Sequence, residues 1–350
     1  MTSVEDSQSE TLTLKAQCHC GLASFAIDIP TSALPLRSSI CSCNSCRRVT
    51  AQLFATHVAV PGNPLPDVSK WTSYNSSASL TRVFCPRCGC SVLCHGSTGA
   101  WFLCGGVLEG PIQGIQDRQA LFANDSKDGG GYIWLPEKNG VGNVIQHHGD
   151  QRGSEMVDVE AMRRNFAAEM TTSSTQEPGQ DDTLQASCHC GAFQCHITKP
   201  DPETPGPMTG RGKWWLAEDS RRYWAGLDAC RSCRKVTGYE VNSWAYIPAF
   251  NFRNPDGTPL DPATHPALHH YSSSPGVHRD FCATCGASVF FRRESRDPQV
   301  WDIGAGLLRG RGARAEDWLQ WNTLDFAEFA LDPEFVSGIV EKMQSYKAAH

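Results

Sequence analysis

Cys18-His19-Cys20-Gly21, Cys41-Ser42-Cys43-Asn44-Ser45-Cys46 and Phe84-Cys85-Pro86-Arg87-Cys88-Gly89 follow one another in the first part of the chain. The same order returns as Cys188-His189-Cys190-Gly191, Asp228-Ala229-Cys230-Arg231-Ser232-Cys233 and Phe281-Cys282-Ala283-Thr284-Cys285-Gly286. The flanks repeat as well: Arg47-Arg48-Val49-Thr50 matches Arg234-Lys235-Val236-Thr237, and Trp101 to Gly110 (WFLCGGVLEG) matches Trp301 to Gly310 (WDIGAGLLRG). Identical block order, with similarity reaching beyond the cysteines, marks a tandem duplication.

The 17 cysteines are odd in number and fall mostly in C-x-C and C-x-x-C pairs, which suits metal ligation better than a disulfide framework. Two thiolates so spaced can reach one ion at about 2.3 Å, so these spacings recur at zinc sites. Cys18 and Cys20 with Cys85 and Cys88 make a complete set of four, as do Cys188 and Cys190 with Cys282 and Cys285; both are expected to be closed structural zinc sites. Cys41, Cys43 and Cys46 are left as a triplet with no obvious fourth partner, an open site able to hold a thiol or carbonyl group. The competing reading closes it with a distant His57, Cys90, Cys94, His95 or Cys104. Asp228 stands where Cys41 stands, so Asp228, Cys230 and Cys233 form a mixed set whose hard oxygen ligand should change affinity and reactivity. Three or four zinc ions per chain are expected, depending on that set.

At 350 residues the chain is long enough for two domains with their own cores. A formal charge of -6 and the absence of a basic tail argue against nucleic acid, and no apolar run spans a bilayer. The polar, acidic opening Met1 to Glu10 is unlike a secretory signal, so the expectation is a soluble cytoplasmic chain. Between the copies, Met156, Val159, Met162, Phe166 and Met170 recur every three or four residues, predicting a connecting helix from Ser154. Polar Thr171 to Asp182 reads as a flexible link, Lys199 to Gly212 as a Pro- and Gly-rich insertion, and Asp332 to Ala349 as a closing helix. Short segments rich in β-branched and aromatic residues, Ala23 to Ile29, Gln52 to Val60, Arg82 to Leu93, Trp101 to Val107, Val241 to Ile247 and Ser288 to Arg292, predict strands. The organisation expected is a first zinc domain at 12–149, a connector at 150–183, a second zinc domain at 184–331 and a terminal helix at 332–350.

The three cysteine blocks, in this order and over nearly all of both copies, resemble the glutathione-dependent formaldehyde-activating enzyme family, also called the centromere protein V type domain. The resemblance implies a mainly β fold, two tandem β-tents of small antiparallel sheets, with structural zinc on the outer pairs and catalytic zinc on Cys41, Cys43 and Cys46. It further implies a carbon-sulfur lyase that interconverts formaldehyde, glutathione and S-(hydroxymethyl)glutathione, with glutathione or a glutathione adduct as small-molecule partner. Arg47 and Arg48 follow the last ligand and are candidates to pair with glutathione carboxylates, while Arg82 lies just before the structural pair. The Asp228 copy is expected to have lost catalysis, serving as a partner surface or a wall of the first copy's cleft. Trp214, Trp215, Arg221, Arg222, Tyr223 and Trp224 precede it as pocket lining or aromatic core. The competing function is a non-catalytic, zinc-stabilised binding or interaction module.

Overall fold

The computed structural model describes residues 10–97, 99–110, 112–139, 141–173, 183–201, 213–217, 219 and 221–349. Most of the expected link at 171–182 and insertion at 199–212 lies outside them.

Each copy carries one three-stranded and one seven-stranded sheet. In the first, Thr11–Gln17 pairs antiparallel with Ser24–Pro30 and with Leu108–Glu109, alternating Leu14 and Ala16 into the core against Thr13 and Lys15 in solvent. The large sheet runs Gln116–Leu121, Leu36–Cys41, Ala55–Ala59, Trp101–Cys104, Ser91–Gly96, Leu80–Phe84, Thr72–Ser77. The second copy repeats this order with Leu319–Asp325, Tyr223–Asp228, Asn242–Pro248, Val300–Gly304, Ser288–Arg293, Val277–Cys282 and Leu268–Ser274. The architecture is therefore mixed, with β-rich regions joined and closed by helices, and it corrects the expectation of small antiparallel sheets. The last strand of each copy, Gln116–Leu121 or Leu319–Asp325, returns parallel to the strand that ends at Cys41 or Asp228. It covers an edge that would otherwise leave backbone groups unpaired beside the ligands.

Helix α1 (Asn44–Thr50) begins at the open triplet: the Cys43 sulfur accepts from the backbone N–H of Cys46 at 3.3 Å and so caps it. The connecting helix α2 spans Val159–Ser173, not from Ser154. Asp158 is the better cap, its carboxylate accepting from Glu160 and Ala161 N–H at 2.9 and 3.0 Å, while Ser154 is used in a turn with Asp150. Helix α3 (Arg231–Thr237) repeats α1, with the Cys230 sulfur accepting from Cys233 N–H at 3.3 Å. Helix α4 (Pro333–Ala349) starts after Asp332, as expected, and buries Phe335, Val336, Ile339 and Met343. It packs back on the first copy, where Trp134 meets Trp321 and Tyr346. The predicted strands are found in part: the 82–93 segment is two strands folded about the Cys85–Cys88 knuckle, the 101–107 segment turns into a 3-10 helix at Gly105, and the 52–60 segment is strand only over Ala55–Ala59.

The copies meet through reciprocal contacts. His19 N–H donates to Lys235 O and His189 N–H to Arg48 O; the His19 ring meets the Tyr271 hydroxyl at 2.7 Å, and Tyr74 meets His189 at 2.7 Å. Gly106 N–H donates to Gly238 O and Gly306 N–H to Ala51 O. Phe84 and Phe281 stack edge to face, each filling the space over the other copy's Gly286 or Gly89. Both glycines have φ of +76°, and a Cβ on either would lie 2.5 to 2.7 Å from the opposing ring, so the knuckle needs glycine twice over. Buried Arg118 of the first copy bonds Glu240 at 2.8 Å and Asp332 at 2.6 Å, and buried Arg314 of the second holds the backbone and carboxylate of Asp128.

Candidate metal centres and cavity

Four groups of ligand atoms converge among the described residues, each within 4.8 Å of one another: Cys18, Cys20, Cys85, Cys88; Cys188, Cys190, Cys282, Cys285; Cys41, Cys43, Cys46; and Asp228, Cys230, Cys233. In the first, the Cys20 sulfur lies 3.6 Å from Cys18 and 3.5 Å from Cys85. In the second, Cys190 lies 3.5 Å from Cys188 and 3.6 Å from Cys282. A tetrahedron of sulfurs around zinc has edges of roughly 3.8 Å, so these donor sets fit that ion. Ala23 and Phe193 N–H point at Cys18 and Cys188 sulfur, at 3.3 and 3.4 Å, favouring thiolates. Hydrogen bonds from Cys85 and Cys88 hold Cys18 down at about 2, and those from Cys188 and Cys285 do the same for Cys282.

The triplet stands apart. The strand Leu36–Cys41 delivers Cys41, and α1 delivers Cys43 and Cys46 from its cap and first turn. Hydrogen bonds from Cys41 and Cys43 hold Cys46 well below the usual thiol range, and the Arg82 guanidinium, 3.1 Å from the Cys46 sulfur, adds to this. Among the described residues no fourth cysteine, histidine or carboxylate joins the three within that span. Of the suggested closers, Cys104 donates to the Tyr239 hydroxyl at 3.7 Å and Cys90 to Ser91 O at 3.4 Å. His57 and Cys94 instead line a cavity of about 960 Å³ whose inner end is Cys41 and Cys46. His57 is buried, its Nε2 has no hydrogen-bond partner, and burial lowers it to about 4, so the imidazole is neutral at physiological pH.

The candidate arginines separate. Arg47 turns inward, donating to Ser42 O at 3.1 Å, Asn44 Oδ1 at 2.8 Å and Asp125 O at 3.1 Å, and is not on the cavity wall. Arg48 is also absent from that wall; its carbonyl joins the copies. Arg82 does line it, and so do Arg37 and Arg152, which sequence reading missed. Arg37 follows Leu36 with no cysteine beside it, and Arg152 lies 106 positions beyond Cys46 (152 − 46), in what reads as connector. Tyr239 of the second copy was missed too. Fully buried, it packs with Cys41, Cys46, Ala55 and Cys104 and stacks edge to face on His57. The second copy thus backs the triplet through a single turn after α3, and the residues that line the cavity all come from the first part of the chain.

At the second triplet Asp228 accepts from Cys230 N–H at 2.9 Å, and burial raises its carboxyl. Arg279 reaches Cys233 sulfur at 3.3 Å, as Arg82 reaches Cys46. Aromatic side chains surround it: Trp214 packs on Tyr246, and Arg296 lies over Trp214 and Phe291 while pairing with buried Asp302. Trp215 and Tyr223 are core.

The profile of the glutathione-dependent formaldehyde-activating enzyme family matches residues 13–124 and 220–322, both halves of this arrangement. The chain belongs to this family. No curated protein and no solved structure matches it. The matched segments contain every member of the clusters around Cys41 and Asp228, and no described helix is long and apolar enough to cross a membrane.

Proposed function

We propose that the chain is a zinc-dependent carbon-sulfur lyase acting on an adduct of glutathione or a related thiol, with one working site at Cys41, Cys43 and Cys46. The observation that carries this reading is the convergence of three sulfurs, with no fourth ligand among the described residues, two of them, Cys41 and Cys46, lining a large cavity. Zinc held by these three thiolates would retain a free position and supply a Lewis acid for a thiol or carbonyl oxygen. The chain's own groups have distinct parts. Arg82 stabilises Cys46 as thiolate and carries positive charge to the end of the cavity where an oxyanion would form. His57 lines the cavity as a neutral imidazole whose Nε2 is enclosed and unpartnered.

The outer sets, Cys18, Cys20, Cys85, Cys88 and Cys188, Cys190, Cys282, Cys285, are read as structural zinc, and the second copy as scaffold. Zinc-dependent turnover of a panel of glutathione adducts, with Cys43→Ser as the blank, tests the proposal. Turnover by the intact chain and none by the variant is expected; equal rates from both would overturn it.

A further inference from the structure

The cavity is larger than a hydroxymethyl group needs, and its lining has a pattern. Its walls are mostly apolar, with Leu36, Val60, Trp101, Phe102 and Phe122 prominent, and no carboxylate lies among them. Three arginines do. Arg82 is committed to Ser76 and Cys46, but Arg37 and Arg152 sit close enough that Arg37 depresses Arg152 electrostatically, after burial. One Arg152 nitrogen donates to Ser38 O at 3.0 Å, and nearby Asp117 partly offsets the charge while holding Asn139 and Asn143. Two arginines lining one largely apolar cavity that holds no carboxylate among its lining residues make a receptor for an anion.

The second copy shows what fills the same space when it is not used. Strand register places Trp244 where His57 stands, opposite Gly304 and Cys104 respectively, and hence Tyr246 where Ala59 stands. Phe291 replaces Cys94, each opposite the matching residue of the next strand, Asp302 or Phe102. Tyr246 reaches over the neighbouring strand: a Cβ on Gly226, the counterpart of cavity-lining Ser39, would lie 2.9 Å from its hydroxyl. The first copy's void is therefore aromatic in size and encoded by smaller residues at matched positions.

We infer that the natural substrate is the adduct of an anionic thiol with a bulky, apolar aldehyde of aromatic size, its carboxylate on Arg37 and Arg152 and its apolar group over Ala59 and Cys94. This rests on the thiol-adduct reading above. In the reaction the sulfur adds to the aldehyde carbon: a C–S bond forms as the carbonyl π bond opens, the thiol proton ends on oxygen, and nothing is oxidised or reduced.

Calorimetric titration of the intact zinc-loaded chain with S-benzylglutathione and S-methylglutathione tests it. The benzyl conjugate should bind at least about tenfold more tightly, from the added apolar burial. Arg37→Ala and Arg152→Ala should each weaken it by about tenfold, with Arg152→Lys recovering part of the loss. Ala59→Tyr, and independently Cys94→Phe, install the second copy's side chains and should bring the benzyl-to-methyl ratio close to one. Equal affinities for the two conjugates in the unaltered chain, or arginine variants that bind as tightly as the parent, would overturn the inference. Benzyl preference without adduct turnover would sink the lyase reading and leave the anion and aromatic subsite standing; turnover of the formaldehyde adduct without that preference would do the reverse.

Discussion

Strands Ala55–Ala59 and Asn242–Pro248 hold the same place in their sheets and lie over equivalent triplets. One carries His57 and Ala59 and leaves an open volume; the other carries Trp244 and Tyr246 and fills it. The ligand triplets differ in parallel, three sulfurs against two sulfurs and a carboxylate. Duplication thus preserved the backbone, both outer cysteine sets and the reciprocal interface while the two inner sites diverged. A fold pinned by contacts common to both halves tolerates divergence of one inner site from the other. The two copies still touch there, because Tyr239 packs against Cys41 and Cys46.

The largest effect separates outer from inner cysteines. Cys85→Ser should unfold the chain, since structural zinc contributes on the order of 10 kcal/mol of folding free energy. Loss of near-ultraviolet circular dichroism reports it, and Cys43→Ser should retain the native spectrum. Next comes the interface. Arg118→Met strands Glu240 and Asp332 without their buried cation, and urea unfolding should show a loss of about 3–5 kcal/mol. Gly238→Ala should cost about 3 kcal/mol by the same measurement: its φ is +90° and a Cβ would meet Ser91 O at 2.0 Å. A native spectrum for Cys85→Ser, or interface variants as stable as the parent, would break the picture of two copies locked together. The smallest effect concerns the two triplets. Graded chelator should withdraw metal from Asp228, Cys230 and Cys233 before Cys41, Cys43 and Cys46, because two thiolates and a carboxylate hold zinc less well than three thiolates. Metal analysis along the titration would reveal the opposite order.

Much of this was legible in the chain because cysteine spacing is local and the repeat compares every position with its counterpart. The two triplets, the Cys41-to-Asp228 exchange and the terminal helix follow from neighbours in sequence, and the outer sets from matching short pairs that the repeat sets side by side. What was not legible is long-range. Arg82 reaches Cys46 only because the intervening strands fold it there, and Arg37 and Arg152 come to line one cavity across more than a hundred residues of chain. Arg47, which looked like a ligand clamp from its place beside Cys46, is turned inward by Ser42 O, Asn44 and Asp125 O. Nor did any local pattern announce the parallel edge strands, which depend on where the chain re-enters the sheet.

The account stands or falls on one working site per chain. Turnover of S-(hydroxymethyl)glutathione by zinc-loaded Cys43→Ser and Cys230→Ser chains, side by side, addresses that most directly. Cys43→Ser should be inactive while Cys230→Ser keeps the parent rate; activity that survives the first change or disappears with the second would contradict it.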